Sequence, residues 1–595
     1  MPSLSRISLC YLALAGVSLL IYGPALSGGF LWDDTDWIRD NETLRTAGGL
    51  WRIWFEPGAV IQYYPLTYTS WWLDCQLWGL SPAVMHVENV LLHAANALLF
   101  GLLLRRLLLP GAWIAAVIFL VHPVHAESVA WLVERESTLS GLLYLGACHQ
   151  WLSHLDAPTK TTRTRAGLLF LAALFAKTAT LMLPVTLFAI AIWRQRRWQT
   201  SLRALLPFVA VAGLAAAVTV VMERGEGAVG YDWALTVRDR IALVGQVVGF
   251  YFGKLLWPSG LSFSYAKWTV GGSLVGWLPT LILLTLTGIS VVAVVRMRRP
   301  VAVAASLAFW VYLANLLPVT GLVDYYYLRY AFVADHFQYL SSMGPIALLV
   351  CGCASVAPQA NLFRVLCIAV ATLLATFTWS RAHIYQDLEV LWRETIEAEP
   401  DSWLAHSNLG NLLDRRGGPD AGIDHHRRAL AIYPDAFEDN NALGNYHARH
   451  GDFASARQFF DVALRVRPDD PLTYNNLGAM HGMQGDYQEA LGCFDAGYRR
   501  SPDNRDLLRN LAVVLAQAPD PTVRDGARAL RLATKLNQVD RPSLLDEHVL
   551  FRAMLLAVDR DRALQFGDRV MHRARREGDH QLARRIGEQI SRLRK

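Results

Sequence analysis

Eleven apolar runs fill the first 380 residues, and no soluble fold accommodates so many. They lie near 7–24, 87–104, 111–121, 129–151, 167–176, 178–193, 204–222, 276–295, 301–318, 343–357 and 362–380. Alone or extended into polar flanks, each approaches the roughly 20 residues needed to cross a hydrocarbon core. Charge changes at the same boundary: residues 1–380 carry 25 basic and 18 acidic side chains, residues 381–595 carry 31 and 32. A chain divided in this way is expected to be all-α, with a multi-pass transmembrane helical bundle of about eleven spans (1–380) followed by a water-facing domain (381–595). A fully soluble protein, a disordered chain and a single-pass receptor are excluded.

Arg6 and the run from Ile7 to Pro24, with Ala25-Leu26-Ser27 behind it, also have the form of a signal peptide; the ten runs that follow favour a span. Short basic loops at Arg105/Arg106, Lys160 to Arg165, Arg194 to Arg203, Arg296 to Arg299 and Arg364 fall on one side of the membrane if residues 236–257 do not cross it. Arg238, Arg240, Gln246 and Lys254 in that stretch suit an interfacial or re-entrant helix instead. The amino terminus is then cytoplasmic and the second domain extracytoplasmic. The outer loops are 25–85, the HPVHAES turn, the Lys177 turn, 223–271 and 315–342. With only six lysines the composition hints at a GC-rich bacterial genome, hence an inner membrane with the second domain in the periplasm.

Pro400, Pro434, Pro468 and Pro502 are spaced by 34, as are Leu409-Gly410, Leu443-Gly444 and Leu477-Gly478, and Phe460 and Phe494. That period is the tetratricopeptide pattern, in which glycine admits a close helix and an aromatic residue fills the gap between hairpins. Full repeats are expected at 403–434, 437–468 and 471–502, with degenerate helical pairs to 595, stacked into an α-solenoid. Asn408, Asn411, Asn441, Asn445, Asn475, Asn476 and Asn510 lie on the first helices. Some of them could face a concave groove and pair with a peptide backbone; a merely solvated role is the plain alternative.

The net charge of +6 sits in the membrane half, which argues against a nucleic-acid groove. The seven cysteines show no C-x-x-C and no paired spacing. Chemistry is better sought on the outer face. Asp33 and Asp34 follow the first span directly, and paired carboxylates at a hydrocarbon boundary repel one another and lose solvation, which suits one of them to accept a proton. A solvated acidic loop is the alternative. His122, His125 and Glu127 stand close enough in sequence to ligate a metal, although no third strong ligand of fixed geometry follows. Glu134, Arg135 and Glu136 lie in or beside a span, where charge is functional or paired. Lys177, Arg329, Asp335 and His336 are further candidates, the cations suiting a lipid phosphate.

Several segments together resemble a known family: WDD after the first span, YYPLTYTSWWLDCQLWGL, HVENVLLHAANALL, HPVHAESVAW, LLWPSGLS, NLLPVTGLV and DHFQYLSSMG, then the repeats. The chain is similar to the transmembrane and tetratricopeptide-repeat-containing proteins, membrane glycosyltransferases of the C superfamily. The resemblance implies transfer of a sugar, mannose in eukaryotic members, from a polyprenyl-phosphate carrier to protein hydroxyls, with the repeats handling the protein acceptor. It places the catalytic acidic pair at Asp33 and Asp34 and makes His122, His125 and Glu127 family positions. The chain has Lys177-Thr178 where the family often has Lys-Glu, and Asp335-His336 where it often has Asp-Arg, which shifts phosphate binding toward Lys177 or Arg135. No nucleotide site is required, since the leaving group already carries a phosphate anchored by a lipid; a divalent metal stays open. Two other classes compete with a transferase: a non-catalytic membrane-anchored scaffold for envelope or secretion proteins, and a lipid-linked sugar transporter.

Overall fold

The computed structural model describes residues 4–195, 198–225, 235–296, 299–357, 359–538 and 542–595. The basic loops at Arg194–Arg203 and Arg296–Arg299, and the outer loop after Gly225, lie partly outside these residues. The chain is helical and forms two compact units, Met1–Ala405 and His406–Lys595.

In the first unit a helix stands at each of the eleven apolar runs. Among the described residues six are long and apolar enough to cross a membrane: Pro82–Arg106, Thr178–Gln195, Leu202–Gly225, Leu274–Arg296, Pro300–Val319 and Asn361–Gln386. The pair Ala112–Val121 and Pro123–Ala130, bent by 54° at Pro123, makes a seventh if it is one span, and Ser5–Ile21 and Met343–Val356 are apolar but shorter. The chain is a multi-pass membrane protein. The run expected at 129–151 begins as a helix only at Arg135, because a turn at 131–134 precedes it.

Close helix approaches depend on missing side chains. A Cβ on Gly245 would lie 2.4 Å from the Thr280 backbone, and one on Gly344 would lie 2.4 Å from the Ala308 carbonyl. Helix Val237–Leu256 starts at a capping box made by Thr236 and Asp239, and its apolar face joins a core of Leu243, Val247, Tyr251, Tyr312 and Leu316. The first outer loop folds into short helices Glu42–Arg45, Gly49–Phe55 and Pro65–Trp78. The unit continues past residue 380 because Trp392, fully buried, packs its ring edge-on against Trp32 and Phe263.

The second unit is a run of helical hairpins. Phe437–Arg449 pairs with Phe453–Val466 and Pro471–Gln484 with Tyr487–Arg500, and Arg505–Gln517, Gly526–Leu536, Leu544–Ala557, Arg560–Arg576 and His580–Arg594 follow. The 34-residue period has a physical basis here. A Cβ on Gly444 would fall 2.5 Å from the Phe460 ring, and one on Gly478 would fall 2.7 Å from Phe494. The first repeat uses the same device with a different ring, Gly410 facing His426. His426 is fully buried, with Nδ1 2.6 Å from Asp439 and Nε2 3.2 Å from Asp414. Apolar clusters around Phe460, Leu511 and Ile586 give the unit its own cores, as stacked repeats require.

Candidate functional site

The two adjacent aspartates after the first span have different surroundings. Asp34 is fully buried, and its carboxylate accepts the Leu31 and Val133 backbone amides, both at 2.8 Å. It therefore fastens the outer loop to the 131–134 turn, and burial pushes its carboxyl upward against those two donors. Asp33 is half-buried, and among the described residues no hydrogen bond or ion pair engages its carboxylate. Burial, helped by the Asp36 charge and opposed by His336, pushes Asp33 up to about 7. Asp33 is thus the member of the pair that can exchange a proton near neutrality.

Its backbone neighbour is strained. Trp32 has φ 44°, a region that L residues other than Asn and Asp rarely enter. The conformation is held by rings from three other segments: Trp131 stacked at 5.8 Å, and Phe263 and Trp392 edge-on at 5.6 and 5.7 Å.

Beside Asp33 lies a buried charge cluster drawn from distant parts of the chain. His336 Nδ1 is 2.6 Å from Glu127 Oε1, and its Nε2 is 3.7 Å from Glu134. Lys177 Nζ donates to Glu134 at 3.1 Å and to Ser137 at 2.9 Å, and it pairs with Glu136 at 2.6 Å. Burial opposes a charged His336, but the Glu134 and Glu127 carboxylates outweigh it and hold the imidazole above its ordinary value. Asp335 accepts the Tyr265 hydroxyl at 2.9 Å, and burial with the nearby Glu127 charge pushes it up to about 7. Glu127 Oε2, Glu136 Oε2 and Gln338 Nε2 are buried with no partner. Buried polar atoms are normally satisfied, and among the described residues these three, like others elsewhere in the chain, have no protein partner.

A small cleft lined by Ser137, Ser140, Lys177, Asn315, His336 and Tyr339 opens on this cluster. Leu340 borders both the cleft and an apolar cavity of about 130 Å³ lined by Phe100, Leu103, Leu307 and Met343, and the Asn315–Tyr144 hydrogen bond of 3.1 Å lies between the two. A larger apolar cavity of about 820 Å³ lies among Gly249, Phe250, Leu283, Phe309 and Tyr312.

Other expected site residues are held in the scaffold. His122 Nε2 donates to the Leu255 carbonyl at 3.0 Å, and His125 lies between the Phe119 carbonyl at 2.8 Å and Ser342 Oγ at 2.9 Å. With those nitrogens occupied, the HPVHAE turn does not fit a metal, and among the described residues no three His, Cys, Asp or Glu side chains gather as ligands. Arg135 is buried in an ion pair with Asp74, pairs with Glu88 at 2.8 Å and donates to Asn89 at 3.0 Å. Two carboxylates thus anchor it, as Glu134 and Glu136 anchor Lys177. Arg329 is buried on the turn Tyr326–Arg329. Asp74, Glu88 and Tyr265 were not singled out from the sequence. An acidic residue inside the apolar run that holds Glu88 was the available signal; Tyr265 offered none.

In the repeats, Asn441 and Asn476 are buried and bond each other at 2.9 Å, Asn441 also donating to Thr473, while Asn510 donates to Asn475 at 2.8 Å. These amides tie one first helix to the next and have little capacity left for a peptide. Asn408 is half-buried. Asn411 and Asn445, one period apart, are half-buried and carry no side-chain hydrogen bond among the described residues.

The tetratricopeptide repeat family model matches residues 408–471 and 482–523. The human protein O-mannosyl-transferase TMTC1 is 25% identical over 487 residues, covering 71% of this chain and 54% of that protein. The chain resembles the TMTC family. Mouse TMTC1 is 33% identical over 156 residues, 24% of this chain and 17% of its own length, and Xenopus laevis tmtc2 is 32% identical over 151 residues, 24% and 18%. The chain spans about half the length of human TMTC1, and the shorter TMTC matches cover under a fifth of those proteins.

Proposed function

We propose that the protein is an integral-membrane glycosyltransferase that moves a sugar, mannose by analogy with its TMTC relatives, from a polyprenyl-phosphate carrier to an extracytoplasmic acceptor. Serine and threonine hydroxyls of proteins are the preferred acceptors. The observation that carries this reading is the proximity of a carboxylate near neutrality with no partner among the described residues (Asp33), two buried basic side chains (Lys177 and His336) and an apolar cavity that shares Leu340 with the cleft.

Each part has a role in a single displacement. Asp33 takes the proton of the acceptor hydroxyl as its oxygen bonds to the anomeric carbon. The bond from that carbon to the phosphate oxygen breaks, and the departing polyprenyl phosphate keeps the electron pair, its charge held by Lys177 and His336. The first isoprene units occupy the apolar cavity, and Glu127 Oε2 and Glu136 Oε2 accept sugar hydroxyls. Asn411 and Asn445 of the repeats are proposed to hold the acceptor backbone.

Incorporation of radiolabelled sugar into envelope protein and glycan fractions tests the reading, comparing wild type with Asp33→Asn at equal membrane abundance. Loss of label supports it, and the fraction that loses label identifies the acceptor. Label unchanged in the variant and in a deletion strain would overturn catalysis and leave the repeats as a scaffold.

A further inference from the structure

Charge along the repeat unit is not evenly balanced. Through its middle, basic side chains meet carboxylates: Arg467 with Glu438 at 3.0 Å, Arg500 with Asp469 at 3.0 Å, Arg509 with Asp546 at 2.8 Å, Lys535 with Asp503 at 2.7 Å, and Arg528 with Asp495. The balance shifts at the hairpin of helices Arg560–Arg576 and His580–Arg594. Between Arg560 and Lys595 there are eleven basic and five acidic side chains. Arg573 pairs with Glu547 and Glu577, and Arg594 with Asp568. Arg562, Arg569, Arg576, Arg584, Arg585 and Arg592 are all exposed, and none has a carboxylate partner among the described residues.

A solvated repeat face needs only a neutral mixture of charges, which carries no self-repulsion. Protein-binding patches carry aromatic or aliphatic anchors at their centre. In this hairpin Ala563, Leu564, Val570, Ala574, Ala583, Ile586 and Ile590 are buried inward, Phe566, Met571, Leu582 and Leu593 are half-buried, and among the described residues no large apolar residue beyond Leu556 is fully exposed. A surface that is strongly cationic and lacks an apolar anchor is complementary to a diffuse sheet of negative charge. The chain is held in a membrane by its spans, so such a sheet is present at high effective concentration.

We infer that the Arg560–Lys595 hairpin is a docking surface for anionic phospholipid headgroups, adsorbing by charge alone. This does not depend on the transferase reading. Adsorption of this kind weakens with salt, and each Arg near an anionic surface contributes about fivefold in affinity.

The test uses the full chain in nanodiscs of phosphatidylcholine, mixed with vesicles of phosphatidylcholine alone or with phosphatidylglycerol, and flotation of the nanodiscs with the vesicles is measured. Nanodiscs are expected to float with the anionic vesicles only and to be released by 0.5 M salt, roughly the range over which such contacts are screened. Replacing Arg576→Gln, Arg584→Gln, Arg585→Gln and Arg592→Gln together should weaken flotation by at least about a hundredfold with the helical circular dichroism unchanged. Absence of flotation at low salt, or equal flotation of the fourfold variant, would overturn the proposal. So would capture by polyglutamate without capture by anionic vesicles, which would move the surface to an acidic protein partner.

Discussion

His336 Nδ1 and Glu127 Oε1 meet at 2.6 Å although one belongs to the turn after Pro123 and the other to the turn before Met343. A bond this short holds the ring in place against a carboxylate whose second oxygen has no partner among the described residues. Removing the carboxylate in Glu127→Gln leaves Glu134 alone to oppose burial and should lower the His336 pKa, so transfer should fail at lower pH on the alkaline side. A pH–rate profile measured on both proteins checks this. An unmoved alkaline limb would show that His336 does not need its proton for transfer.

The acid side of the same profile reports Asp33. A general base must be ionised, and a group raised to about 7 is mostly protonated below that pH, so transfer should rise with pH through about 7. Asp33→Asn should reduce the rate by about 10²–10⁴-fold without shifting the melting temperature.

Asp34→Ala should behave differently. It leaves the buried Leu31 and Val133 amides without acceptors, each at a penalty of about 1–3 kcal/mol, so thermal unfolding in detergent should come several degrees earlier. Activity would then fall together with the folded fraction.

Arg135→Met strands the buried Asp74 carboxylate, a loss of about 3–5 kcal/mol. Adding Asp74→Leu removes the stranded charge and should recover much of that stability. A double-mutant cycle on melting temperature would measure the coupling, and strict additivity would mean the pair is energetically idle.

In the repeats, burial opposes a charged His426, but Asp439 and Asp414 raise it above its ordinary value near 6.5. For a group whose folded pKa is raised, the stabilisation is complete below the unfolded value and is lost as pH rises through the folded one. Unfolding of the wild type should therefore become easier from about pH 6.5 upward, by at most about 1.4 kcal/mol per pH unit. His426→Phe, which copies Phe460 and Phe494 at the equivalent positions, should flatten that slope in denaturant titrations at several pH values.

The repeat hairpins were legible because their signals are local. A 34-residue period, a glycine and the ring that fills its gap lie within one hairpin, and Gly444 with Phe460 is the structural form of that spacing. The site was legible only in part. That Asp33 and Asp34 stand at the membrane edge follows from their neighbours in sequence. Which of them is available depends on an amide at Val133, supplied by a turn that sequence spacing does not bring near. For the same reason Arg135 reads as functional or paired, with no partner identified, until Asp74 and Glu88 are placed beside it, and Asn441 and Asn476 read as groove-facing or solvated until they are found bonded to each other.

Trp32 has a consequence for biogenesis. Its backbone is held in a rarely used conformation by rings at Trp131, Phe263 and Trp392, the last in the helix that follows the final apolar run. A chain still leaving the ribosome or the insertion machinery lacks Trp392, so one of the three rings around Trp32 arrives only after the last apolar run has been made, and the surroundings of the neighbouring Asp33 are completed late in synthesis.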